Sequence, residues 1–137
     1  LVERSGYLKL TDFGFAKQLG ADGRTWTVCG TPEYLSPEII LSQCHGLTTD
    51  WWTLGILVYE MTTGATPFVL SEGEMSLYEE IVANQPGFPP SFPKHTKAIV
   101  QQLLHSSPTE RLGEGRGGVD DLQQHAFFTQ IKWEQLL

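Results

Sequence analysis

Residues 24–35 read Arg24-Thr25-Trp26-Thr27-Val28-Cys29-Gly30-Thr31-Pro32-Glu33-Tyr34-Leu35 and lie in a stretch without helical or strand periodicity. The stretch runs from about Gly14 to Pro37 and mixes glycines with polar and bulky side chains. We therefore predict a long loop. Long loops inside a compact domain usually carry function, so this loop is the first candidate for a functional segment.

An acidic residue stands at the start of this loop, in Thr11-Asp12-Phe13-Gly14. Before it, Leu1-Val2 and Tyr7-Leu8-Lys9-Leu10 read as two short strands joined by a turn that ends in Gly6. A carboxylate that follows a strand can hold Mg²⁺ against nucleotide phosphates, and the glycine lets the chain turn away sharply. Asp-Phe-Gly is a common tripeptide, so alone it gives weak support to this chemistry.

Helical patterns dominate the chain after the loop. Ser36-Pro37-Glu38 has a capping residue, a proline at the first helical position and an early acid, which predicts the start of a short helix. Thr49–Thr63 is apolar on almost every side and stops at Gly64, which predicts a helix at the centre of a core.

Three further helices are predicted downstream. Ser71 and Glu74 have capping-box spacing ahead of one helical stripe, and a second stripe stops before Pro108. The stripes consist of Met75, Tyr78, Ile81 and Val82, and of Ile99, Val100, Leu103 and Leu104. Val119–His125 predicts a last short helix. We find no repeat or linker and therefore predict one mainly α domain.

The composition argues against some partners. Sixteen acidic against nine basic side chains give a net charge of −7, which disfavours nucleic acid and anionic membranes and favours basic peptides. Surface solvation explains the same acidic excess equally well. No apolar run approaches the ~20 residues of a membrane span.

Cysteines and histidines show no metal-site pattern. Cys29 and Cys44, the only cysteines, lack zinc-ligand spacing, so we expect a reducing, cytoplasmic compartment. The histidines, His45, His95, His105 and His125, are far apart in sequence. Leu1 is not an initiator methionine and no signal segment follows it, so we expect a truncated chain.

Five motifs follow one another along nearly the whole chain. They are Asp12-Phe13-Gly14-Phe15-Ala16-Lys17, the run at 24–35, Ser36-Pro37-Glu38, Asp50-Trp51-Trp52-Thr53-Leu54-Gly55 and Pro108-Thr109-Glu110-Arg111-Leu112-Gly113. This series resembles serine/threonine protein kinases of the cyclic-nucleotide-dependent group. The resemblance implies a mainly α protein-kinase C-lobe fragment with a short β-hairpin at the start and a long activation loop. Residues 1–137 would then be a partial kinase domain, with the N-lobe and catalytic loop absent.

Two branches of that group remain open. The spacing from Asp12 to Arg24 and the pair Trp133-Glu134 resemble cGMP-dependent kinases. Thr11 instead resembles the catalytic subunit of cAMP-dependent kinases, in which this position touches the adenine. By the resemblance, Asp12 is the catalytic carboxylate that binds Mg²⁺, and the cofactors are ATP and Mg²⁺.

The resemblance also assigns the loop residues. Thr27 is the implied phosphorylation site and Lys17 a ligand of its phosphate. Thr31 would contact the catalytic base and lysine, which implies a Ser or Thr substrate. Val28, Pro32 and Leu35 would form the pocket for the apolar residue after the substrate hydroxyl. Without the neighbouring motifs, Thr27 would be an ordinary exposed hydroxyl.

Five charged residues outside the phosphate site have implied roles. Glu33 and Glu60 would recognise arginines that precede the substrate hydroxyl, although Glu33 also fits a solvated surface acid. Glu60 lies in an apolar helix and therefore needs a partner. Glu38 and Arg111 would form a buried ion pair. Asp50 would anchor the catalytic loop, and an ordinary helix-start acid is its alternative role.

The function implied is transfer of the γ-phosphate of Mg-ATP to Ser or Thr in basic protein segments. A cyclic-nucleotide-binding regulatory domain or subunit is a further implied partner. These 137 residues hold no glycine-rich loop, strand lysine with its helix glutamate, or His-Arg-Asp loop, so we expect the isolated chain to be inactive. The alternatives are a pseudokinase or docking module without phosphotransfer and, much less favoured, an unrelated helical interaction domain.

Overall fold

The computed structural model of the chain describes residues 1–68 and 73–136. Within them lie the helices α1 (Pro37–Ile40), α2 (Thr48–Thr63), α3 (Glu74–Ala83), α4 (Lys94–Leu103) and α5 (Val119–Gln123). Short 3-10 turns occupy Pro32–Tyr34, Pro108–Glu110, Ala126–Phe128 and Trp133–Gln135. The prediction of a mainly α chain is confirmed. None of the helices in the described ranges has the length and apolar character needed to cross a membrane.

The first ten residues form a turn rather than the two predicted strands. Val2 and Leu8 make one isolated antiparallel bridge, and residues 1–68 and 73–136 contain no regular strand. The amide of Lys9 donates to the carbonyl of Leu1 at 2.8 Å, and Gly6 takes a positive φ of 89° at the turn. All ten residues are exposed, so no buried face supports longer pairing.

Helix α2 is the centre of the core, as its sequence predicts. Trp52 and Ile56 are fully buried and belong to the same apolar cluster as residues of α4. Gly55 allows the close approach, because a Cβ there would lie 2.9 Å from the Cβ of Leu103. Not every apolar side chain of α2 is buried, however, since Leu57 is 42% exposed and Met61 is 69% exposed.

Helices α3 and α4 differ in how well their sequence stripes predict their buried faces. The α4 stripe, Ile99, Val100, Leu103 and Leu104, is buried throughout. In α3 the predicted stripe is right for the buried Ile81 and the half-buried Tyr78, but Met75 and Val82 are 72% and 37% exposed, and the buried Leu77 was not predicted. The inner face is set by contact of α3 with α1 and the turn at Pro32–Tyr34. Ser71 of the predicted capping box lies outside the described residues.

The chain after α4 packs as short turns. Helix α5 ends at Gln123, two residues before the predicted end. The imidazole Nδ1 of His125 then accepts a hydrogen bond from the amide of Phe127 at 3.1 Å, which caps the turn at Ala126–Phe128. Phe128 packs edge-to-face against Phe127 and at a tilt against Trp133, at centroid distances of 4.8 and 5.2 Å.

Candidate functional site

Asp12 opens the long loop in a conformation that few residues adopt. Its φ is 61°, in the left-handed region, and its Oδ1 accepts a long hydrogen bond from the amide of Gly14 at 3.4 Å. Aspartate tolerates this region better than most residues because its short side chain bonds locally. The carboxylate is exposed, as is the neighbouring Thr11.

Asp12 offers a single carboxylate to a metal ion and leaves the other coordination positions to other ligands. No group of three or more His, Cys, Asp or Glu side chains in residues 1–68 and 73–136 could hold a metal ion. Mg²⁺ in proteins is often held by one or two carboxylates while nucleotide phosphates and water complete its shell. Asp12 therefore fits a magnesium ion that arrives with a nucleotide, and it does not fit a metal cage made by this chain alone.

Lys17 and Thr27 meet within the loop although ten residues separate them. The Lys17 Nζ donates to Thr27 Oγ1 and to Thr25 Oγ1, each at 2.9 Å. The two threonine hydroxyls are 3.2 Å apart. A cation thus stands directly at the Thr27 hydroxyl, which is the arrangement that would stabilise a phosphate at that position.

His45, from the connection between α1 and α2, holds the same part of the loop. Its backbone exchanges two hydrogen bonds with Thr25, at 2.8 and 3.0 Å. Its ring Nε2 lies 3.2 Å from the carbonyl oxygen of Thr27. Sequence reasoning weighed His45 only as a metal ligand, and no pattern in the sequence marks its contact with the loop.

Glu60 of α2 has a partner in the loop. The hydroxyl of Tyr34 donates a short hydrogen bond to Glu60 Oε2. Burial raises the pKa of Tyr34 to about 12, helped by the hydrogen bond to Glu60 and by the charges of Glu60 and Glu33. Glu60 needed a partner in its apolar helix, but sequence reasoning did not identify Tyr34. Glu33 lies beside Tyr34 and is half-buried.

One cavity of about 410 Å³ brings several of the predicted residues together. Its walls include Lys17, Thr27, Thr31, Leu35 and Asp50. Other predicted residues lie outside its walls, namely Thr11, Asp12, Val28, Pro32, Glu33 and Glu60. The residues expected to form one apolar pocket are therefore divided: Val28 is 60% exposed, whereas Leu35 is only 7% exposed.

Glu38 and Arg111 form a buried, two-pronged ion pair. The Arg111 Nη1 and Nη2 donate to the two carboxylate oxygens at 2.8 and 3.0 Å, and both residues are at most 2% exposed. Arg111 also donates to the carbonyls of Thr48 and His105 and lies over the ring of Trp52.

The charge of Arg111 decides the ionisation of its partner. Burial by itself pushes the pKa of Glu38 upward, but the hydrogen bond and positive charge of Arg111 outweigh it, so the pKa lies below its usual value. The ionised pair ties the end of the loop to the C-terminal third of the chain. Asp50, exposed in the first turn of α2, contacts neither member of this pair in the hydrogen bonds observed.

The long loop thus starts at the carboxylate of Asp12 and ends at the buried Glu38–Arg111 pair beside the central helix α2, and this order of motifs is the one found in protein kinases. Residues 1–128 match the sequence model described as "Protein kinase domain". The chain therefore belongs to the protein kinase family.

Its relatives include cyclic-nucleotide-dependent kinases. The chain is 46% identical to the human cAMP-dependent protein kinase catalytic subunit PRKX over 98% of its own length. It is 44% identical to the cAMP-dependent protein kinase catalytic subunit of Dictyostelium discoideum and 41% identical to human cGMP-dependent protein kinase 2, each over 99% of its length. It spans only 37%, 20% and 18% of these three relatives, respectively.

Proposed function

We propose that this chain is the C-lobe part of a serine/threonine protein kinase of the cyclic-nucleotide-dependent group. The enzyme transfers the γ-phosphate of Mg-ATP to Ser or Thr in basic protein segments. The observation that carries the proposal is the contact of the Lys17 ammonium with the Thr27 hydroxyl, in a loop bounded by Asp12 and the Glu38–Arg111 pair. The names of the relatives support the same class.

On the nucleotide side, Asp12 is the metal-binding carboxylate and Thr11 contacts the adenine. When bound, Mg-ATP supplies the transferable phosphoryl group and the positive charge that neutralises its oxygens. Asp12 contributes an exposed oxygen ligand that its hydrogen bond to the Gly14 amide helps to orient. Supporting this role, the positive φ of Asp12 is the kind of backbone strain that clusters at functional sites.

On the substrate side, Thr31 favours Ser or Thr, and the acids Glu33 and Glu60 meet basic residues that precede the hydroxyl. Both charges act on the Tyr34 phenol and help to raise its pKa, and Glu60 also accepts its hydrogen bond. Val28, Pro32 and Leu35 provide apolar contact for the residue after the hydroxyl, and Leu35 is the buried member of the three. The net charge of −7 favours basic substrates.

Activation and anchoring use the remaining residues. Phosphorylation of Thr27 would add about −1.5 to −2 charges beside Lys17 and so order the loop. Asp50 anchors the catalytic loop, and Glu38 with Arg111 is structural. The 137 residues on their own neither bind ATP tightly nor transfer phosphate. A cyclic-nucleotide-binding domain or subunit controls the complete enzyme, which cyclic-nucleotide titration of the full chain would test.

The decisive experiment is phosphotransfer by the complete enzyme, of which these 137 residues are a part, from Mg-ATP to a peptide with arginines before a serine. Asp12→Asn should lower kcat/KM by on the order of 100-fold or more, because a metal clamp contributes several kcal/mol to the transition state. Asp22→Asn is the matched control, since Asp22 lies in the same exposed loop and bonds only locally to the Arg24 amide. It should retain activity within about twofold.

Two results would contradict the proposal. Equal activity of Asp12→Asn and Asp22→Asn would remove Asp12 from the metal site. A complete enzyme that binds the peptide without transferring phosphate would instead indicate the docking-module alternative.

The same assay tests the choice of substrate hydroxyl. A peptide with tyrosine in place of the serine should not be phosphorylated.

A further inference from the structure

His45 is a buried histidine at the connection between α1 and α2, only 8% exposed. Its main chain pairs with Thr25 in an isolated antiparallel bridge. The next residue, Gly46, packs against the loop so closely that a Cβ would lie 2.6 Å from the carbonyl oxygen of Gly23. These contacts form a seam in which residues 45–46 hold residues 23–25 of the loop.

The imidazole ring extends this seam to Thr27. Its Nε2 lies 3.2 Å from the carbonyl oxygen of Thr27, and its Nδ1 lies 3.0 Å from that of Gln43. Both partners are acceptors, and a neutral imidazole donates through only one nitrogen. Gln43 is two residues away in the same connection, so of the two ring contacts only the one at Nε2 joins the connection to the loop.

The ring contact is the part of the seam that depends on residue type. Any residue except proline at position 45 could make the main-chain bonds to Thr25, but only a side-chain donor could bond the Thr27 carbonyl. Packing adds little there, because Trp26 and Val28, which flank Thr27, are 69% and 60% exposed. Thr27 is thus held from two sides, at its hydroxyl by Lys17 and at its carbonyl by His45.

We propose that His45 is a positioning residue for Thr27. Its Nε2–H donates to the Thr27 carbonyl and fixes the main chain so that the Thr27 hydroxyl lies within reach of Lys17. Loss of this donor frees residues 26–30 while the helical core keeps its structure. That this position also presents Thr27 for phosphorylation rests on the proposed function.

Three substitutions separate the two ring nitrogens. In His45→Gln the side-chain NH₂ lies near the place of Nε2 and keeps a donor for Thr27. In His45→Asn it lies near the place of Nδ1 and can serve only Gln43, and His45→Leu removes both donors. His95→Leu is a matched control, because His95 is exposed on α4.

The readout is amide hydrogen exchange of the complete protein, compared between the Thr27 amide and α4. The Thr27 amide donates to Thr25 Oγ1 at 3.3 Å, so its protection reports the position of the Thr27 main chain. We expect His45→Asn and His45→Leu to speed exchange of the Thr27 amide by about three- to tenfold, the effect of one net hydrogen bond. His45→Gln and His95→Leu should stay within about twofold of wild type, and α4 should stay protected in every variant. Protection of α4 shows that a variant is folded.

Several outcomes would overturn the positioning role. One is His45→Asn matching wild type, which would assign the bond to Nδ1 and Gln43. Another is His45→Gln matching His45→Leu, and a third is faster exchange in α4 as much as in the loop. Phosphorylation of Thr27, measured on the same variants, tests the two proposals separately. If the exchange rates change as expected but Thr27 is never phosphorylated, the role of His45 is supported and the proposed function is contradicted.

Discussion

In α2 and α4, Trp52, Ile56 and Ile99 are fully buried, whereas in the loop from Asp12 to Gly30 almost every side chain is exposed. Apolar burial holds the first region, at roughly 25 cal/mol per Å² of apolar surface. Polar contacts from Lys17 and His45 hold the second. Substitutions in the core should therefore change stability, whereas substitutions in the loop should change local order and chemistry.

The Glu38–Arg111 pair lies where the two regions join, and breaking it should have the largest effect on stability. Arg111→Met leaves the Glu38 carboxylate buried without its cation, and we expect a loss of about 3–5 kcal/mol in the free energy of unfolding, measured by urea titration. The loop should lose protection at the same time because Glu38 closes it.

Two further variants sharpen this test. Adding Glu38→Gln to Arg111→Met removes the unpaired charge, so the double variant should lose less than the sum of the single losses. Arg116→Met is the control, since Arg116 is exposed, and it should change stability by no more than about 0.5 kcal/mol. A loss below about 1 kcal/mol for Arg111→Met would show that the pair does not support the fold.

Inside the core, Gly55→Ala should have an intermediate effect. The added Cβ would lie 2.8 Å from Leu104 Cδ2 and 2.9 Å from Leu103 Cβ, so α2 and α4 must separate. Overpacking costs about 1–3 kcal/mol, and the higher helix propensity of alanine returns about 1. We therefore expect a net loss of up to about 2 kcal/mol, with loop exchange unchanged.

Gly87→Ala is the matched control for this substitution. A Cβ at Gly87 would meet no atom within 4 Å, so its stability should equal wild type or rise slightly. If Gly55→Ala behaved like Gly87→Ala, the close approach of α2 and α4 would not depend on glycine. If it loosened the loop as much as the core, the two regions would not be independent.

The smallest expected effect on stability comes from protonation of His125, which caps the turn at Ala126–Phe128. Burial, and then the charge of His95, lower the pKa of His125 from its usual 6.5. The neutral ring is favoured in the folded state, where its Nδ1 accepts from Phe127. Its contribution to stability is therefore complete above pH 6.5 and is lost as the pH falls through the lowered pKa.

Urea unfolding at pH 7, 6 and 5 measures this contribution. Wild type should lose more stability between pH 7 and pH 5 than His125→Gln, whose side chain does not titrate. His105→Gln is the control, because His105 is exposed, and it should keep the slope of wild type. Identical slopes for wild type and His125→Gln would show that the cap does not respond to protonation.

The spacing of apolar residues along the sequence predicted the buried positions of those helices whose apolar residues follow a regular helical period. The buried face of α4 follows from its sequence, and α2 is central as predicted. The buried face of α3 followed only in part, with Ile81 predicted and Leu77 missed, because the orientation of α3 is set by α1 and the Pro32–Tyr34 turn, which are distant in sequence. The exposed Leu57 and Met61 show that an apolar helix need not be covered on every side.

The prediction of the candidate site depended more on the resemblance to a known family than on the physical pattern of the residues. Glu38 and Arg111 are 73 residues apart, and no periodicity brings them together. Lys17 and Thr27 likewise meet only through the path of the loop. Tyr34 and His45 carry no sequence signal for their contacts, because a single hydrogen bond across the fold leaves no repeat in the chain. The catalytic roles of Asp12 and Thr31 stay predictions.

The hydrogen bond from Tyr34 to Glu60 affects how a basic ligand could use that carboxylate. With Oε2 engaged by the phenol, Glu60 offers Oε1 to an incoming cation. A guanidinium fork that seeks both oxygens would have to displace the phenol or share Oε2 with it. A lysine ammonium needs only one acceptor. The hydrogen bond from Tyr34 should therefore reduce the preference for arginine over lysine that a glutamate with two free oxygens would show.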